Sequence, residues 1–416
     1  MGRGPRNAEG NRGGRLNVAK GGKDNAPGTR LVTAGRRPEW TGPAVNTPVW
    51  RTSTHLYADS ADLAAGRPNA DGHFYYGRRG TPTQWALAEA LTELEPGAEG
   101  TVLYPSGVAA IAGALLAVLK PGDVLLVTDN AYEPTRTLAN GYLRRIGVET
   151  RFFDPLDLDA YAGLFCEKTA AVMLESPGSL TMEVCDIPAL ARIAREKGAV
   201  SVLDNTWASP LGFAALAHGC DISVMSLTKH VGGHSDLMMG SASAARAWHG
   251  KLRSTAQMLG NVVSPDDAAL ALRGLRTMGV RLAQSSAAAL EIARWLDGRP
   301  EVARVLCPML PGAPGHDLWR RDFTGGCGLF SVLFDRRDEA ARDRFIDALD
   351  LFGIGYSWGG YESLVVPVKA PRTIVPFPSP DLASGGGAAI RLSIGLENAG
   401  DLIADLERGF AAMENG

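Results

Sequence analysis

Ser226-Leu227-Thr228-Lys229-His230-Val231-Gly232-Gly233-His234-Ser235-Asp236 is the stretch whose reading decides the fold. It follows Ile222 to Met225, a short apolar run that reads as a buried strand. A lysine just past such a strand sits at the rim of a sheet, where open α/β folds place their chemistry. Ser226 and Thr228 stand two apart, on one face of an extended chain, where their hydroxyls can meet one anion. Gly232-Gly233 lets the backbone turn sharply and come close to whatever is bound. Lysine, hydroxyls and glycines together point to a Schiff base beside a phosphate, the chemistry of pyridoxal phosphate (PLP). Two other readings fit this stretch alone. Lys229 could be an ordinary surface charge, and His230, His234 and Asp236 have zinc-like spacing. The glycine pair counts against the metal, because it breaks the helix that puts two histidines on one face.

The composition narrows the choice. A chain of 416 residues has room for two or three domains with sizeable cores. Hydrophobic content of 45% and charged content of 21% are those of a soluble globular protein. A net charge of -3 gives no whole-chain attraction to nucleic acid or to an anionic membrane. No apolar run reaches the roughly 18 residues of a membrane span. The five cysteines, Cys166, Cys185, Cys220, Cys307 and Cys327, are scattered and odd in number, as reduced thiols in a cytoplasm would be.

Residues 1–28 hold eight Gly, six Lys/Arg and two acids, with almost nothing apolar to bury. Such a segment is expected to be a disordered tail. From Leu31 to Gly80 the chain has little periodicity and reads as an irregular arm packed on something else, such as a neighbouring subunit. The arm ends in Tyr76-Gly77-Arg78-Arg79-Gly80, where paired arginines could grip a phosphate or a carboxylate. Residues 83–95 predict an amphipathic helix with Trp85, Leu87, Leu91 and Leu94 on its apolar face. Tyr104-Pro105-Ser106-Gly107-Val108 then opens an Ala/Leu-rich helix whose free N–H groups favour an anion.

The next hundred residues alternate strand and helix, which predicts a mainly parallel sheet covered on both faces. Strands are expected at Val124–Thr128, Ala171–Leu174, Ser201–Leu203 and Ile222–Met225. Each is followed by polar or aromatic residues: Asp129-Asn130-Ala131-Tyr132, Glu175-Ser176-Pro177, Asp204-Asn205-Thr206-Trp207 and Ser226-Leu227-Thr228-Lys229. Four such clusters at consecutive strand ends mark a site. A PLP site needs a lysine, a carboxylate at the pyridine nitrogen, an aromatic on the ring face and donors round the phosphate. Lys229, Asp204 and Tyr132 fill the first three places. Ser106, Gly107, Val108, Ser226, Thr228 and Arg78 are candidates for the fourth. After about Leu275 the pattern changes to mixed strands and helices. There Arg391 interrupts an apolar run, a costly position unless it clasps a carboxylate.

With these residues assembled, the chain from about 29 to 415 resembles the Cys/Met-metabolism family of fold-type I PLP enzymes. The resemblance rests on Tyr76 to Thr81, Ala131-Tyr132-Glu133-Pro134, Glu175 to Ser179, Asp204 to Trp207, Ser226 to Asp236, Gly274 to Thr277, Arg321 to Gly325 and Tyr356 to Ser363. It implies an aspartate-aminotransferase-like large domain at 81–275, a smaller C-terminal α/β domain at 276–416, and an arm at 29–80. It also implies a homotetramer of active-site-sharing dimers in which Tyr76 and Arg78 reach the neighbouring subunit's cofactor phosphate. Substrate contacts are implied for Arg79, Tyr356, Ser357, Trp358 and Arg391. A bulky Trp358 beside the Gly359-Gly360 pair implies β-elimination, because γ-acting relatives usually carry a smaller aliphatic residue there. The implied reaction releases homocysteine, pyruvate and ammonia from L-cystathionine, a step of methionine biosynthesis. A broader cysteine-S-conjugate β-lyase and a γ-synthase or γ-lyase are the alternatives. The turn after Tyr132 offers Glu133, Arg136 and Thr137 and so leaves the partner of the distal ammonium open. His230 stands where an aromatic is usual in the family.

Overall fold

The computed structural model describes residues 24–68, 70–369, 372–377 and 386–414. The expected tail lies outside these as far as residue 23, and a helix already begins at Pro27. Seven strands form the larger sheet: β1 (Gly100–Tyr104), β2 (Val124–Thr128), β3 (Glu149–Phe153), β4 (Thr169–Glu175), β5 (Val200–Asp204), β6 (Ile222–Ser226) and β7 (Gly240–Ala244). Their order is β1-β7-β6-β5-β4-β2-β3. Only β7 runs against its neighbours, and the other pairings are parallel. Side chains leave these strands alternately. Leu126, Val172, Leu174 and Leu203 enter one core, whereas Leu125, Val127, Ala171, Met173 and Val202 enter the other. A sheet buried on both faces favours such apolar strands, and in β4 and β5 the carboxylates fall at the last residue, Glu175 and Asp204.

Helices cover both faces. The Pro82–Leu94 helix starts where Thr81 N–H donates to Gln84 Oε1 at 3.0 Å, a capping box with Pro82 in the first turn. On the other face lies Gly107–Val118, capped by Ser106, whose Oγ accepts from Ala109 N–H at 3.1 Å. One continuous helix, Pro265–Asp297, runs through the boundary expected at 275/276 and so belongs to both halves. The second sheet contains β8 (Val302–Leu306), β9 (Leu329–Asp335), β10 (Gly353–Ile354), β11 (Leu364–Pro367) and β12 (Gly386–Ser393), in the order β10-β11-β12-β9-β8. Helix Ala399–Glu414 closes the chain.

The arm is less irregular than its sequence implies. It carries short helices at Pro27–Thr33, Pro38–Thr41 and Ser60–Ala65, and its first part packs on its own chain. Leu31 is buried, and Trp40 and Phe74 lie 6.2 and 5.2 Å from the Trp85 ring. These anchors are single aromatics at irregular spacing, so no period announces them.

Segment 372–377, between β11 and β12, is tied to the end of β2 by the fully buried Asp129. Its carboxylate accepts from Thr373 N–H at 2.9 Å, Ile374 N–H at 2.8 Å and Val375 N–H at 3.0 Å. It also pairs with Arg136 at 3.0 Å and Arg372 at 3.4 Å, both themselves buried. Burial alone would push the Asp129 pKa up, but the three N–H groups and Arg136 outweigh it and hold the carboxyl below its ordinary value. Asp129→Asn leaves the buried Arg136 without its counter-charge, and Arg372 with Glu183 alone at 3.1 Å, and should lower unfolding free energy by about 3–5 kcal/mol. A depressed pKa stabilises above the unfolded value. Denaturant unfolding should therefore show the full wild-type advantage at neutral pH, shrinking as pH falls below about 4. A pH-independent difference would contradict this assignment.

Candidate functional site

The carboxyl ends of β4, β5 and β6 open into a cavity of about 320 Å³, a size that holds a small ligand. Ser106, Gly107, Val108, Tyr132, Asp204, Ser226, Thr228, Lys229, Tyr356, Ser357, Trp358 and Arg391 all line it. They come from six separate stretches of sequence. The strand-to-helix turns of the large sheet supply the first eight, and the second domain supplies the last four.

Lys229 lies in the turn after β6, and its Nζ donates to Ser357 Oγ at 2.9 Å, 5.3 Å from the Trp358 ring centroid. Its pKa is lowered to about 8, by burial first and then by the Arg391 charge, with Asp204 opposing both. Asp204 closes β5. Thr206 donates to its Oδ1 twice, from N–H at 3.0 Å and from the hydroxyl at 2.5 Å, while Oδ2 takes no hydrogen bond among the described residues. Thr206 Oγ1 also accepts from Ser226 N–H at 2.9 Å, so one hydroxyl ties the acid to the strand that carries the lysine. Burial raises the Asp204 pKa, against the Thr206 bonds and the Lys229 charge. A cation placed at Oδ2 would bring it down again.

Glu175 is the register partner of Asp204 on β4, and its Oε2 accepts from Tyr132 N–H at 2.6 Å. Burial, then the neighbouring Asp204, pushes its pKa well above the ordinary value. Burial also raises the Tyr132 phenol, with Asp204 and Glu175 adding to the effect. Arg391, on β12, donates from Nη2 to the carbonyls of Tyr356 at 3.2 Å and Ser357 at 3.4 Å; burial lowers its pKa to about 10. At the other wall, Gly107 opens its helix so close to Ser226 that an added Cβ would lie 2.8 Å from the serine Cβ. The helix N–H groups thus meet the Ser226 side chain in one concave wall. Thr228 also lines the cavity, but its hydroxyl already donates to Met239 O at 3.2 Å and accepts from Met239 N–H at 3.0 Å.

Three expected residues lie elsewhere. Arg78 Nη1 donates to Gln257 O at 3.1 Å, the Arg79 guanidinium stacks 3.9 Å from the Tyr75 ring centroid, and Tyr76 is exposed. None of them lines the Lys229 cavity. The metal alternative also finds no support. His230 is buried, His234 Nδ1 lies 2.7 Å from Gly232 O, and no group of three metal-ligating side chains occurs among the described residues. Thr206, Glu175 and Trp207 were not assigned from sequence, although all three sit in the quoted strand-end clusters. Position after a strand was the available signal, and burial was what sequence could not rank.

The donor set fits PLP: an amine, a buried carboxyl with a free oxygen, an aromatic, and a helix N-terminus flanked by serine hydroxyls. The sequence matches the family model described as Cys/Met metabolism PLP-dependent enzyme over residues 28–411. The cystathionine beta-lyase MetC of Escherichia coli strain K12 is 44% identical over 391 residues, covering 92% of this chain and 98% of the relative. The cystathionine beta-lyase of Haemophilus influenzae is 40% identical, covering 92% and 97%. Among solved structures, metB from Corynebacterium glutamicum superposes with a TM-score of 0.83 at 30% identity, covering 93% of this chain and 98% of that one.

The charge pattern predicts how the lysine titrates. In cofactor-free protein, pH-dependent labelling of Lys229 by an amine-reactive reagent should be half-complete near pH 8. Asp204→Asn should move that midpoint down and Arg391→Ala should move it up. Midpoints that ignore both substitutions would contradict the electrostatic arrangement.

Proposed function

The chain belongs to the Cys/Met metabolism family of PLP-dependent enzymes, with PLP as its cofactor, and from that premise we propose that it cleaves L-cystathionine by β-elimination. Water is consumed, and homocysteine, pyruvate and ammonia are released. The observation that carries this reading is the single cavity in which Lys229, Asp204, Arg391 and Trp358 meet. Relatives named cystathionine beta-lyase, matched along nearly their whole length, support it.

Bound PLP supplies an electron sink for the charge left on the substrate's Cα. The rest falls to side chains. The Arg391 guanidinium takes the substrate's α-carboxylate, which places Cα near the amine that Ser357 holds. Lys229, with its lowered pKa, has a useful fraction of neutral amine at neutral to mildly basic pH and removes the Cα proton. Asp204 Oδ2 would hold a proton on the cofactor's ring nitrogen. Tyr132 would cover the ring, and its phenol, whose raised pKa keeps it protonated, would donate a proton to the departing thiolate beside Lys229. The Trp358 indole fills the wall next to Ser357 and narrows the space that γ-chemistry would use. Tyr76 and Arg78, exposed and outside the cavity, are read as completing the phosphate site of a second copy, with two such dimers forming a tetramer. Arg79 is read with them as a substrate contact at that shared site.

Incubation of the purified protein with L-cystathionine should yield equal amounts of pyruvate and homocysteine. α-Ketobutyrate in their place would overturn β-elimination, and pyruvate from cystine but not from cystathionine would overturn the substrate. Lys229→Ala should abolish turnover. Arg391→Ala should chiefly raise KM, by about 10- to 100-fold for roughly 1.5–3 kcal/mol of lost charged hydrogen bonding.

A further inference from the structure

His230 follows the reactive lysine directly, and none of the roles above uses it. Its ring is buried, 5% exposed, on the side of the Lys229 turn away from the cavity. Nε2 lies 3.1 Å from Trp207 O. A carbonyl only accepts, so Nε2 is the nitrogen that carries the proton and Nδ1 the one with the lone pair. Nδ1 faces the turn at Gly359, whose φ of +80° suits glycine and where an added Cβ would come within 3.1 Å of it.

The same ring stands edge-on to Trp358, with centroids 5.2 Å apart and planes at 63°. Such an edge-to-face pair constrains the indole's orientation. Trp358 in turn lies 5.3 Å from Lys229 Nζ, and its π face favours the charged amine. On the far side the chain is also fixed, because Trp207 Nε1 donates to Leu329 O at 3.1 Å. A continuous set of contacts therefore runs from the Trp207 carbonyl through the imidazole and the indole to the amine. Burial first, and then the facing charges of Arg281 and Lys229, lower the His230 pKa to about 4 against the pull of the Trp207 carbonyl. At working pH the ring is neutral and its bond to Trp207 is constant.

We propose that His230 is a positioning residue: its neutral imidazole, fixed by Nε2–H to the Trp207 carbonyl, sets the pose of the Trp358 indole and through it the Lys229 amine. This builds on the roles given above to Lys229 and Trp358, yet it is tested without turnover. The full-length chain, freed of cofactor, is labelled at Lys229 over a pH series in four forms: wild type, His230→Phe, Trp358→Phe and the double variant. His230→Phe keeps the ring volume and removes the donor.

The expected result is a fall of the Lys229 midpoint by about half a pH unit in His230→Phe, as the indole loses its hold on the ammonium. No further fall should follow when Trp358→Phe is already present. Near-UV circular dichroism of His230→Phe should lose the same band that Trp358→Phe loses. In the holoenzyme, kcat should fall several-fold with KM little changed, since Arg391 is untouched. An unshifted midpoint, or an equal shift with and without Trp358, would overturn the proposal. Where His230→Phe does not fold, His230→Gln carries the same cycle: it keeps a donor for Trp207 but loses the aromatic edge, and it too should shift Lys229 only while Trp358 is present.

Discussion

An acid and an amine share one buried cavity, and burial opposes the charged form of each. Asp204 is driven up by desolvation and Lys229 is driven down, and each relieves the other. The rest of the structure serves to hold these two groups at fixed places. Asp204 sits at the last residue of β5, and Lys229 stands three residues past β6, its parallel neighbour. Register between parallel strands, with the short turn after β6, therefore sets their separation. Thr206 reinforces it by bonding the carboxylate of one strand and the backbone of the other.

The second domain brings a guanidinium to the cavity. Arg391 lies inside β12, between Ser331 of β9 and Val366 of β11, so the guanidinium is delivered by a paired strand and not by a mobile loop. Its carbonyl partners, Tyr356 and Ser357, occupy the same turn that meets the Lys229 amine. Relative placement of the two domains thus decides whether amine and guanidinium can act on one amino acid. The Asp129 contacts with residues 373–375 lie three residues before Tyr132, and they tie that placement to the cofactor-facing wall.

Much of this was legible in the sequence because apolar strands ending in polar clusters have few explanations. The four expected strands fall inside β2, β4, β5 and β6, and twelve of the expected site residues line one cavity. β7 escaped notice for a physical reason. Gly240-Ser241-Ala242-Ser243-Ala244 is wholly buried but built of small residues, and the Ser243 hydroxyl is used inside the sheet, 2.8 Å from Thr101 Oγ1. β3, half-exposed at the sheet edge, lacks the apolar run of its neighbours. Glu175 was visible as a residue, but its raised pKa comes first from burial and then from Asp204 across a strand pairing, neither of which a local pattern encodes. The positions of Arg78 and Arg79 away from the cavity likewise follow from how the arm packs, which aromatic anchors at irregular spacing decide.

The central claim is that Asp204 works as an ionised acid against the cofactor's ring nitrogen. Nitrogen NMR of protein loaded with isotope-labelled PLP reads the protonation of that atom directly. A protonated nitrogen is expected in the wild type across the neutral range and an unprotonated one in Asp204→Asn. An unprotonated nitrogen in the wild type would contradict it.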